Sequence, residues 1–284
     1  MMIKRFVGLD QKDSDLKKQF DQDGVLVIEN AISKDDCDAL KRQMRAIVDK
    51  VEVDDNQSVF DTITRDQESD TYFLNSGNNI SFFLESGALD KNGKLQVPAS
   101  QALNKVGHAL HRLDPVFTDF CARPEFTRLM KLLGMHKPHA LQSMYIFKHP
   151  QIGGEVVCHQ DSSYLWTEPQ SVIGLWFAIE DATISNGCMW GIPGEHKEKS
   201  PRSRLQRTKA DRMVTDLTVF DSAEWGVADS VPLEVPAGSM IALHGQFPHL
   251  SGPNTSDQPR DAFALHFVDD ACHYPADNWL ERAG

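Results

Sequence analysis

Long apolar runs and an N-terminal leader pattern are both missing from this sequence. No stretch approaches the roughly 20 consecutive apolar residues that a membrane-spanning helix needs, and residues 1–10 contain Lys4 and Arg5 but no apolar run. We therefore expect no membrane span and no signal peptide. Internal repeats and low-complexity tracts are missing too, which excludes a fibrous or disordered protein.

Cysteine is scarce, and its spacing excludes two common roles. The five cysteines are Cys37, Cys121, Cys158, Cys188 and Cys272. An odd number of scattered cysteines without a CxxC pair argues against a disulfide framework and against a structural zinc site. We expect buried free thiols in a reducing compartment, and hence a cytoplasmic protein.

Basic residues are too few to balance the acidic ones. The chain has 29 lysines and arginines against 41 aspartates and glutamates, a net charge of −12. Such a surface repels phosphate backbones, so we expect no nucleic-acid partner. The one basic run contains Lys197, Lys199, Arg202, Arg204, Arg207, Lys209 and Arg212. It is explained either as a solvated loop or as a surface for an acidic substrate or a coenzyme A ester.

The apolar content, 40% of the residues, suffices for one sizeable core, and we predict a single domain over residues 1–284. Residues 1–138 are expected to be a mainly helical N-terminal part. Within it we predict a helix over 13–22 that Gly24 ends, and a second helix that begins after an N-cap at Ser33. Further helices are predicted through 103–110 and up to Leu133, with Gly134 as the stop of the last one. A short strand is predicted at 25–28, and a loop at 52–72.

The pattern changes near residue 139 to short β-type runs separated by turn residues. We predict strands at 140–148, 155–161, 172–179, 188–192, 231–235, 239–244 and 262–268. Strands at this spacing are typical of a sandwich or barrel, with the core in residues 139–284. The polar segment 195–230 shows little periodicity and is predicted to be a long loop, which with 52–100 covers the substrate.

The tripeptide His159-Gln160-Asp161 is the most informative motif. On a strand, residues i and i+2 share a face, so His159 and Asp161 could bind one ion while Gln160 points away. A downstream histidine would complete two histidines and one carboxylate. That set leaves open positions and suits non-haem iron(II), which must also bind a co-substrate and dioxygen.

Two histidines, His244 and His249, are candidates for the third ligand, and Arg260 discriminates between them. An oxygenase that uses 2-oxoglutarate needs a cation for the distal carboxylate, and arginine binds carboxylates bidentately. Such an arginine follows the distal histidine by about ten residues, across a turn-rich link. We therefore prefer His249 as the ligand and assign His244 a structural role. His266 shares strand parity with Arg260 and could also face the site.

The chain also resembles the phytanoyl-CoA dioxygenase family over nearly its whole length. The matching segments include Asp23-Gly24-Val25-Leu26-Val27, Gln142-Ser143-Met144-Tyr145, Gly153-Gly154-Glu155, His159-Gln160-Asp161-Ser162-Ser163, Asn186-Gly187-Cys188 and Pro193-Gly194-Glu195-His196. The resemblance implies a mainly β protein with added helices, built on a double-stranded β-helix, the cupin-like jelly-roll barrel.

The resemblance also implies a set of site residues and cofactors. Iron(II) would be held by the catalytic residues His159, Asp161 and His249, and 2-oxoglutarate by Arg260. Further co-substrate contacts would come from Lys105, Gln142, Met144, Trp176 and Ser251. Plain core packing for Met144 and Trp176 and a solvated surface for Lys105 are the ordinary alternatives. Dioxygen is the second co-substrate, and ascorbate is a candidate reductant.

The expected activity is hydroxylation of a small-molecule substrate, with release of succinate and carbon dioxide. Because Asp161 supplies a carboxylate, hydroxylation is expected rather than halogenation, which needs a small residue at that position. The alternatives are a metal-binding jelly roll of another activity and a non-catalytic protein that binds or senses 2-oxoglutarate. The protein is expected to be a monomer or a small homo-oligomer.

Overall fold

The computed structural model describes residues 3–51, 58–62, 70–197 and 200–282. Its strands are β1 (Arg5–Val7), β2 (Val25–Glu29), β3 (Val59–Phe60), β4 (Ile80–Glu85), β5 (Leu103–His108), β6 (Pro138–Ile146), β7 (Val156–His159), β8 (Ile173–Ala178), β9 (Met189–Gly191), β10 (Ser203–Arg207), β11 (Thr215–Val219), β12 (Val231–Leu233), β13 (Met240–His244), β14 (His249–Ser251) and β15 (Ala262–Asp269). Its α-helices are α1 (Asp13–Asp23), α2 (Lys34–Val48), α3 (Thr71–Asn75), α4 (Leu110–Leu113), α5 (Pro115–Cys121) and α6 (Pro124–Leu132).

Two sheets form the centre of the molecule. The larger one has nine strands in the order β1-β2-β13-β8-β15-β6-β5-β4-β3, and it is open, with β1 and β3 at its edges. The smaller one has the order β12-β9-β14-β7. Most neighbours are antiparallel, whereas β1–β2 and β3–β4 are parallel. The chain is thus mainly β with added helices, as predicted from the sequence.

Helices cover one face of the large sheet, and the small sheet lies against part of the other. On the helical side, Phe120 of α5 and Phe126 of α6 pack against Phe177 of β8. On the opposite side, Trp176 and Met189 belong to the cluster between the sheets. Every residue of β15 is buried, as expected for a strand with both faces covered. This layering explains why β8 and β15 are nearly continuous apolar runs.

Local signals at helix ends predicted the structure well. Ser33 caps α2 by accepting a hydrogen bond from the Asp36 backbone N–H, and the Asp36 side chain accepts one in return from the Ser33 backbone. Gly24 ends α1 with a φ of 76°, a left-handed conformation that glycine adopts without strain. All seven strands predicted beyond residue 139 are present. The 52–72 prediction falls largely on residues outside those described.

Three predictions from the sequence are wrong in detail. The helix predicted through 103–110 is instead strand β5, which pairs with β4 and β6, so pairing partners override a helical pattern. The predicted 195–230 loop contains the hairpin β10–β11, in which the buried Leu205 pairs directly with the partly buried Leu217. The strand predicted at 155–161 ends at His159.

The N-terminal part is therefore continuous with the β core. Strands β1 to β5 all belong to the nine-stranded sheet, alongside strands from beyond residue 139. The assignment of residues 1–284 to one domain stays a prediction, which this shared sheet supports. None of the described helices combines the length and the apolar character that a membrane crossing requires.

Candidate metal centre

Three side chains meet where the ends of two strands lie side by side. His159 is the last residue of β7, His249 is the first of β14, and the two are directly paired. Asp161 opens a 3-10 turn, Asp161–Ser163, two residues after His159. The ligand atoms of all three residues lie within 4.8 Å of one another, a group that could hold a metal ion. The prediction that Asp161 shares the strand with His159 is wrong, but the turn brings its carboxylate to the same place.

The hydrogen bonds of the two histidines leave the right atoms available. Nδ1 of His159 lies 2.9 Å from the Val157 carbonyl, and Nδ1 of His249 lies 3.0 Å from the Phe247 carbonyl. A carbonyl only accepts, so each Nδ1 carries the proton and each Nε2 keeps a lone pair. Both Nε2 atoms face Asp161 Oδ1, at 3.7 Å and 3.8 Å. This arrangement fits a divalent metal with nitrogen and oxygen ligands.

His266 supports the carboxylate from the large sheet. Its Nε2 lies 3.3 Å from Asp161 Oδ2, which confirms that His266 faces the site. Burial acts to raise the pKa of Asp161, but the imidazoles of His249 and His266 outweigh it and hold the pKa well below its ordinary value. Asp161 is therefore a carboxylate at neutral pH.

Gly174 makes room for this contact. It is paired with His266 across β8 and β15. A Cβ at position 174 would lie 3.1 Å from the His266 ring and 3.2 Å from Asp161 Oδ2, tighter than ordinary packing. A side chain here would displace one or both groups. Sequence reasoning missed this residue, because an isolated glycine within a strand signals only a close approach of unknown kind.

His244, the alternative third ligand, faces another part of the protein. Its ring lies 5.8 Å from Phe20 of α1 and 5.1 Å from His196. Its Nδ1 accepts a hydrogen bond from the Gln246 backbone N–H at 3.1 Å. Burial lowers the pKa of His244 to about 4, so the ring is neutral. The group that could hold a metal contains His249 and not His244.

Arg260 and Ser251 lie in the wall of the same cavity. Arg260 is 3% exposed, its guanidinium lies 5.5 Å from the ring of Trp176, and its Nε has no hydrogen-bond partner among the described residues. Burial lowers the pKa of Arg260 to about 10, yet it stays charged. A buried cation is costly without an anion, so this part of the cavity suits a carboxylate.

Three further predicted co-substrate residues, Gln142, Met144 and Trp176, line the same cavity from strands on either side of β15. Met144 of β6 and Trp176 of β8 both pair with Ala264 of β15. Gln142 pairs with His266, which is two residues beyond Ala264 on β15 and contacts Asp161 of the triad. Gln142 is 5% exposed. Met144 and Trp176 thus lie on either side of Ala264 in the cavity wall, and their contacts with a co-substrate stay predictions.

Lys105 is buried, in contrast to the alternative of a solvated surface lysine. It lies on β5, not on a helix, and pairs with Ile146. Its Nζ lies 3.4 Å from the centre of the Phe60 ring and 5.3 Å from that of Phe83, within reach of cation–π attraction. Lys105 thus brings a positive charge into the cavity wall.

The cavity has a volume of about 200 Å³ and extends beyond the triad. Much of its wall is aromatic and apolar, and this part includes Phe60, Phe73, Tyr164, Leu165 and Trp279. Trp279 stacks on Phe73, with ring centres 4.4 Å apart. Sequence reasoning missed Trp279, because nothing near it in the sequence marks a segment that folds back over the site.

Three arginines of the basic run, Arg204, Arg207 and Arg212, are engaged within the protein. Arg204 pairs with Asp277, and Arg212 pairs with Glu281 at 2.6 Å. Arg207 is 5% exposed and donates to the carbonyls of Leu74, Arg212 and Trp279. These arginines fasten the C-terminal segment to the hairpin β10–β11, so they are not displayed together for a ligand.

Comparison with known sequences places these residues in a family. The profile of the family described as Phytanoyl-CoA dioxygenase (PhyH) matches residues 20–262. A phytanoyl-CoA dioxygenase of Arabidopsis thaliana is 43% identical over 267 residues, covering 93% of this chain and 92% of that protein. A phytanoyl-CoA dioxygenase domain-containing protein 1 of Bos taurus is 42% identical over 274 residues, covering 93% of each chain.

Solved structures share the fold at low identity. The non-heme alpha ketoglutarate dependent carbocyclase SnoK matches with a TM-score of 0.64 and 16% identity, over 95% of this chain and 88% of that one. The epimerase SnoN, solved in complex with Fe3+, alpha ketoglutarate and nogalamycin RO, matches with a TM-score of 0.63 and 14% identity, over 93% and 86%. The fold is thus the cupin-like jelly roll of such enzymes. The chain belongs to the phytanoyl-CoA dioxygenase family, and with it to the oxygenases that use iron and 2-oxoglutarate.

Proposed function

We propose that this protein is an iron(II)- and 2-oxoglutarate-dependent dioxygenase that hydroxylates a small organic molecule and releases succinate and carbon dioxide. The observation that carries the proposal is one cavity holding both the His159, Asp161 and His249 group and the buried Arg260. A metal site alone would not need a buried arginine, and a dicarboxylate co-substrate does.

The proposed roles follow from position and charge. His159 and His249 would hold iron through Nε2, and Asp161 through a carboxylate oxygen, with His266 keeping that carboxylate in place. Bound iron with 2-oxoglutarate would supply the activation of dioxygen that attack on an unactivated C–H bond requires. The protein's own contribution is to bind the two acids, orient the substrate and exclude water.

The distal carboxylate of 2-oxoglutarate would be bound by Arg260 and Ser251, between Met144 and Trp176. Gln142 and Lys105 lie farther round the same wall and would contact the co-substrate from the β5–β6 side. The resemblance to the family implies these contacts, and the shared cavity supports them.

The substrate would occupy the apolar part of the cavity, beside Tyr164, Leu165 and Trp279. A cavity of about 200 Å³ favours a small molecule or one end of a longer one. Because Arg204, Arg207 and Arg212 are engaged within the protein, a coenzyme A ester bound through the basic run has little support. We place the reaction in the cytoplasm, in keeping with the five free cysteines.

The test is succinate formation from 2-oxoglutarate with iron(II) and dioxygen, across a panel of candidate substrates. We expect succinate with the wild type, and none with Asp161→Ala, because the metal loses the carboxylate of its three-residue ligand group. Asp119→Ala, on the exposed side of α5, is the matched control and should behave as wild type. Binding of 2-oxoglutarate without succinate from any substrate would favour the non-catalytic sensor instead.

A further inference from the structure

Lys148 connects the two residues proposed to bind the distal carboxylate. It follows β6 by two residues and is 3% exposed. Its backbone carbonyl accepts a hydrogen bond from the Arg260 N–H at 3.1 Å. Its ammonium group donates to Ser251 Oγ at 2.8 Å. One residue thus fixes both the backbone that carries the guanidinium and the hydroxyl beside it.

The ammonium group also determines what the Ser251 hydroxyl can do. Besides Ser251, Lys148 Nζ donates to the Gly154 carbonyl at 2.8 Å and to the Gly252 carbonyl at 2.6 Å. An ammonium nitrogen has three hydrogens and no lone pair. All three hydrogens are therefore donated to these oxygens, and the nitrogen cannot accept a hydrogen bond. Ser251 Oγ must therefore be the acceptor, and its own hydrogen is left to be donated elsewhere, into the cavity that Ser251 lines.

Glycines on two loops make space for the lysine side chain. A Cβ at Gly187 would lie 2.6 Å from Lys148 Cδ, and one at Gly153 would overlap Lys148 Cγ. Contacts this close to a Cβ atom are essentially never found in real structures, so each position requires glycine. The loops at 153–154, 187 and 251–252 therefore close around this side chain, which makes it a built feature of the cavity wall.

Burial, together with the positive charge of Arg260, lowers the pKa of Lys148 to about 6. The nearby carboxylate of Glu85 opposes this lowering, and the ammonium form is the one that can donate to all three oxygen acceptors. A carboxylate arriving beside Arg260 adds a negative charge and opposes it further. Bound co-substrate therefore favours the charged lysine.

We propose that Lys148 is a positioning residue for 2-oxoglutarate: its ammonium group orients the Ser251 hydroxyl so that the hydrogen is donated to the distal carboxylate. This inference rests on the proposed function. It assigns Lys148 no contact with the metal or with the substrate. It predicts an effect that depends on the distal carboxylate and that passes through Ser251.

The experiment measures binding to the iron(II) protein without oxygen, through the visible absorption that a chelated 2-oxo acid gives with iron(II). The probes are 2-oxoglutarate and 2-oxobutanoate, which keeps the chelating end and lacks the distal carboxylate. We expect Lys148→Met to weaken 2-oxoglutarate binding by about ten- to a hundredfold, the range for a hydrogen bond to a charged group. Binding of 2-oxobutanoate should stay unchanged.

A double-mutant cycle tests the route through Ser251. Ser251→Ala should weaken 2-oxoglutarate binding about as much as Lys148→Met, and adding the lysine substitution to it should change the affinity by less than about twofold. Lys131→Met, at an exposed position near the end of α6, is the matched control and should bind both acids as wild type. Full additivity, equal weakening for both acids, or wild-type affinity in Lys148→Met would each overturn the proposal.

Two further outcomes are separable. If Lys148→Met fails to fold, Ser251→Ala alone decides, because wild-type 2-oxoglutarate affinity in that variant overturns the proposal. If the wild type binds both acids equally well and Arg260→Met changes neither, the proposed co-substrate site itself is wrong. In that case the failure belongs to the proposed function and not to Lys148.

Discussion

At the scale of single residues, the metal centre depends on which histidine nitrogen carries the proton. The carbonyls of Val157 and Phe247 fix the proton on Nδ1 of His159 and His249, and this leaves Nε2 for a metal. His244 differs, because its Nδ1 accepts a hydrogen bond instead. Backbone atoms two residues away thus prepare the two ligands, a detail that residue spacing alone does not reveal.

This difference predicts opposite results for two matched substitutions. His249→Gln should abolish tight iron(II) binding, because the metal loses one of three protein ligands. His244→Gln should bind iron(II) within about threefold of wild type, because the glutamine oxygen can still accept from Gln246 N–H. Competition with a coloured chelator measures both affinities. Loss of iron binding in His244→Gln alone would reverse the assignment.

A second prediction at this scale concerns acid stability. Burial lowers the pKa values of His111 and His244 to about 4, below the value of about 6.5 in an unfolded chain. The unfolded state therefore binds more protons between pH 6.5 and 4, and the free energy of unfolding falls as the pH drops through that window.

Replacing both histidines with glutamine should remove about 5 kcal/mol of that fall between pH 7.5 and 4.5. Urea unfolding at pH 7.5, 6, 5 and 4.5 measures it, with His273→Gln at an exposed position as the control. An unchanged slope in the double variant would show that other buried groups cause the acid sensitivity.

At the scale of elements, the hairpin β10–β11 and the C-terminal segment act together. Arg207 at the end of β10 donates to the carbonyls of Leu74 and Trp279, both at 2.9 Å. Trp279 in turn forms part of the apolar cavity wall. Arg207 thus holds the Trp279 side of the cavity wall in place. This contact supports the proposal that segment 195–230 helps to cover the substrate.

We predict that Arg207→Gln lowers the free energy of unfolding by about 3 kcal/mol, because buried carbonyls lose a charged donor. Limited proteolysis should become faster within 274–282, and substrate affinity should fall. Lys209→Gln, at an exposed position just beyond the end of β10, is the matched control and should change the free energy of unfolding by less than about 0.5 kcal/mol. Equal effects of the two substitutions would count against this fastening role.

The sequence predicted elements well where the signal is local. The Ser33 cap, the Gly24 stop and the β15 apolar run depend on neighbouring residues, and all are confirmed. It failed at β5, whose state depends on pairing with β4 and β6. The triad was predictable because motif and spacing name its members. Lys148, Gly174 and Trp279 were not, because distant strands and loops give them their roles.

At the scale of the whole molecule, the candidate metal centre joins the two sheets. His159 and His249 come from the small sheet, whereas His266 and Gly174 belong to the large one. Arg260 precedes β15, the strand that pairs with both β6 and β8. Ligands bound here would connect strands that lie far apart in the chain. Binding should therefore raise the free energy of unfolding of the whole fold.

We therefore predict that iron(II) with 2-oxoglutarate raises the melting temperature. At ligand concentrations about 100 times the dissociation constant, the gain is about 2.7 kcal/mol, or roughly 5 °C for a chain of this size. Anaerobic scanning calorimetry measures the shift, and 2-oxobutanoate in place of 2-oxoglutarate should give a smaller one. Asp161→Ala should show no shift with iron, and a shift equal to wild type would exclude the proposed metal site.

Gly174 bears on how family members without oxygenase activity can be recognised from their sequences. Glycine has no Cβ, and an added methyl group at this position would make close contacts with both Asp161 and His266. Metal coordination tolerates displacements of only about 0.2 Å. A paralogue with alanine at this position would display every ligand-bearing motif and still seat its carboxylate badly. Ligand motifs are therefore an incomplete marker of an active oxygenase, and the residue opposite His266 should be inspected alongside them.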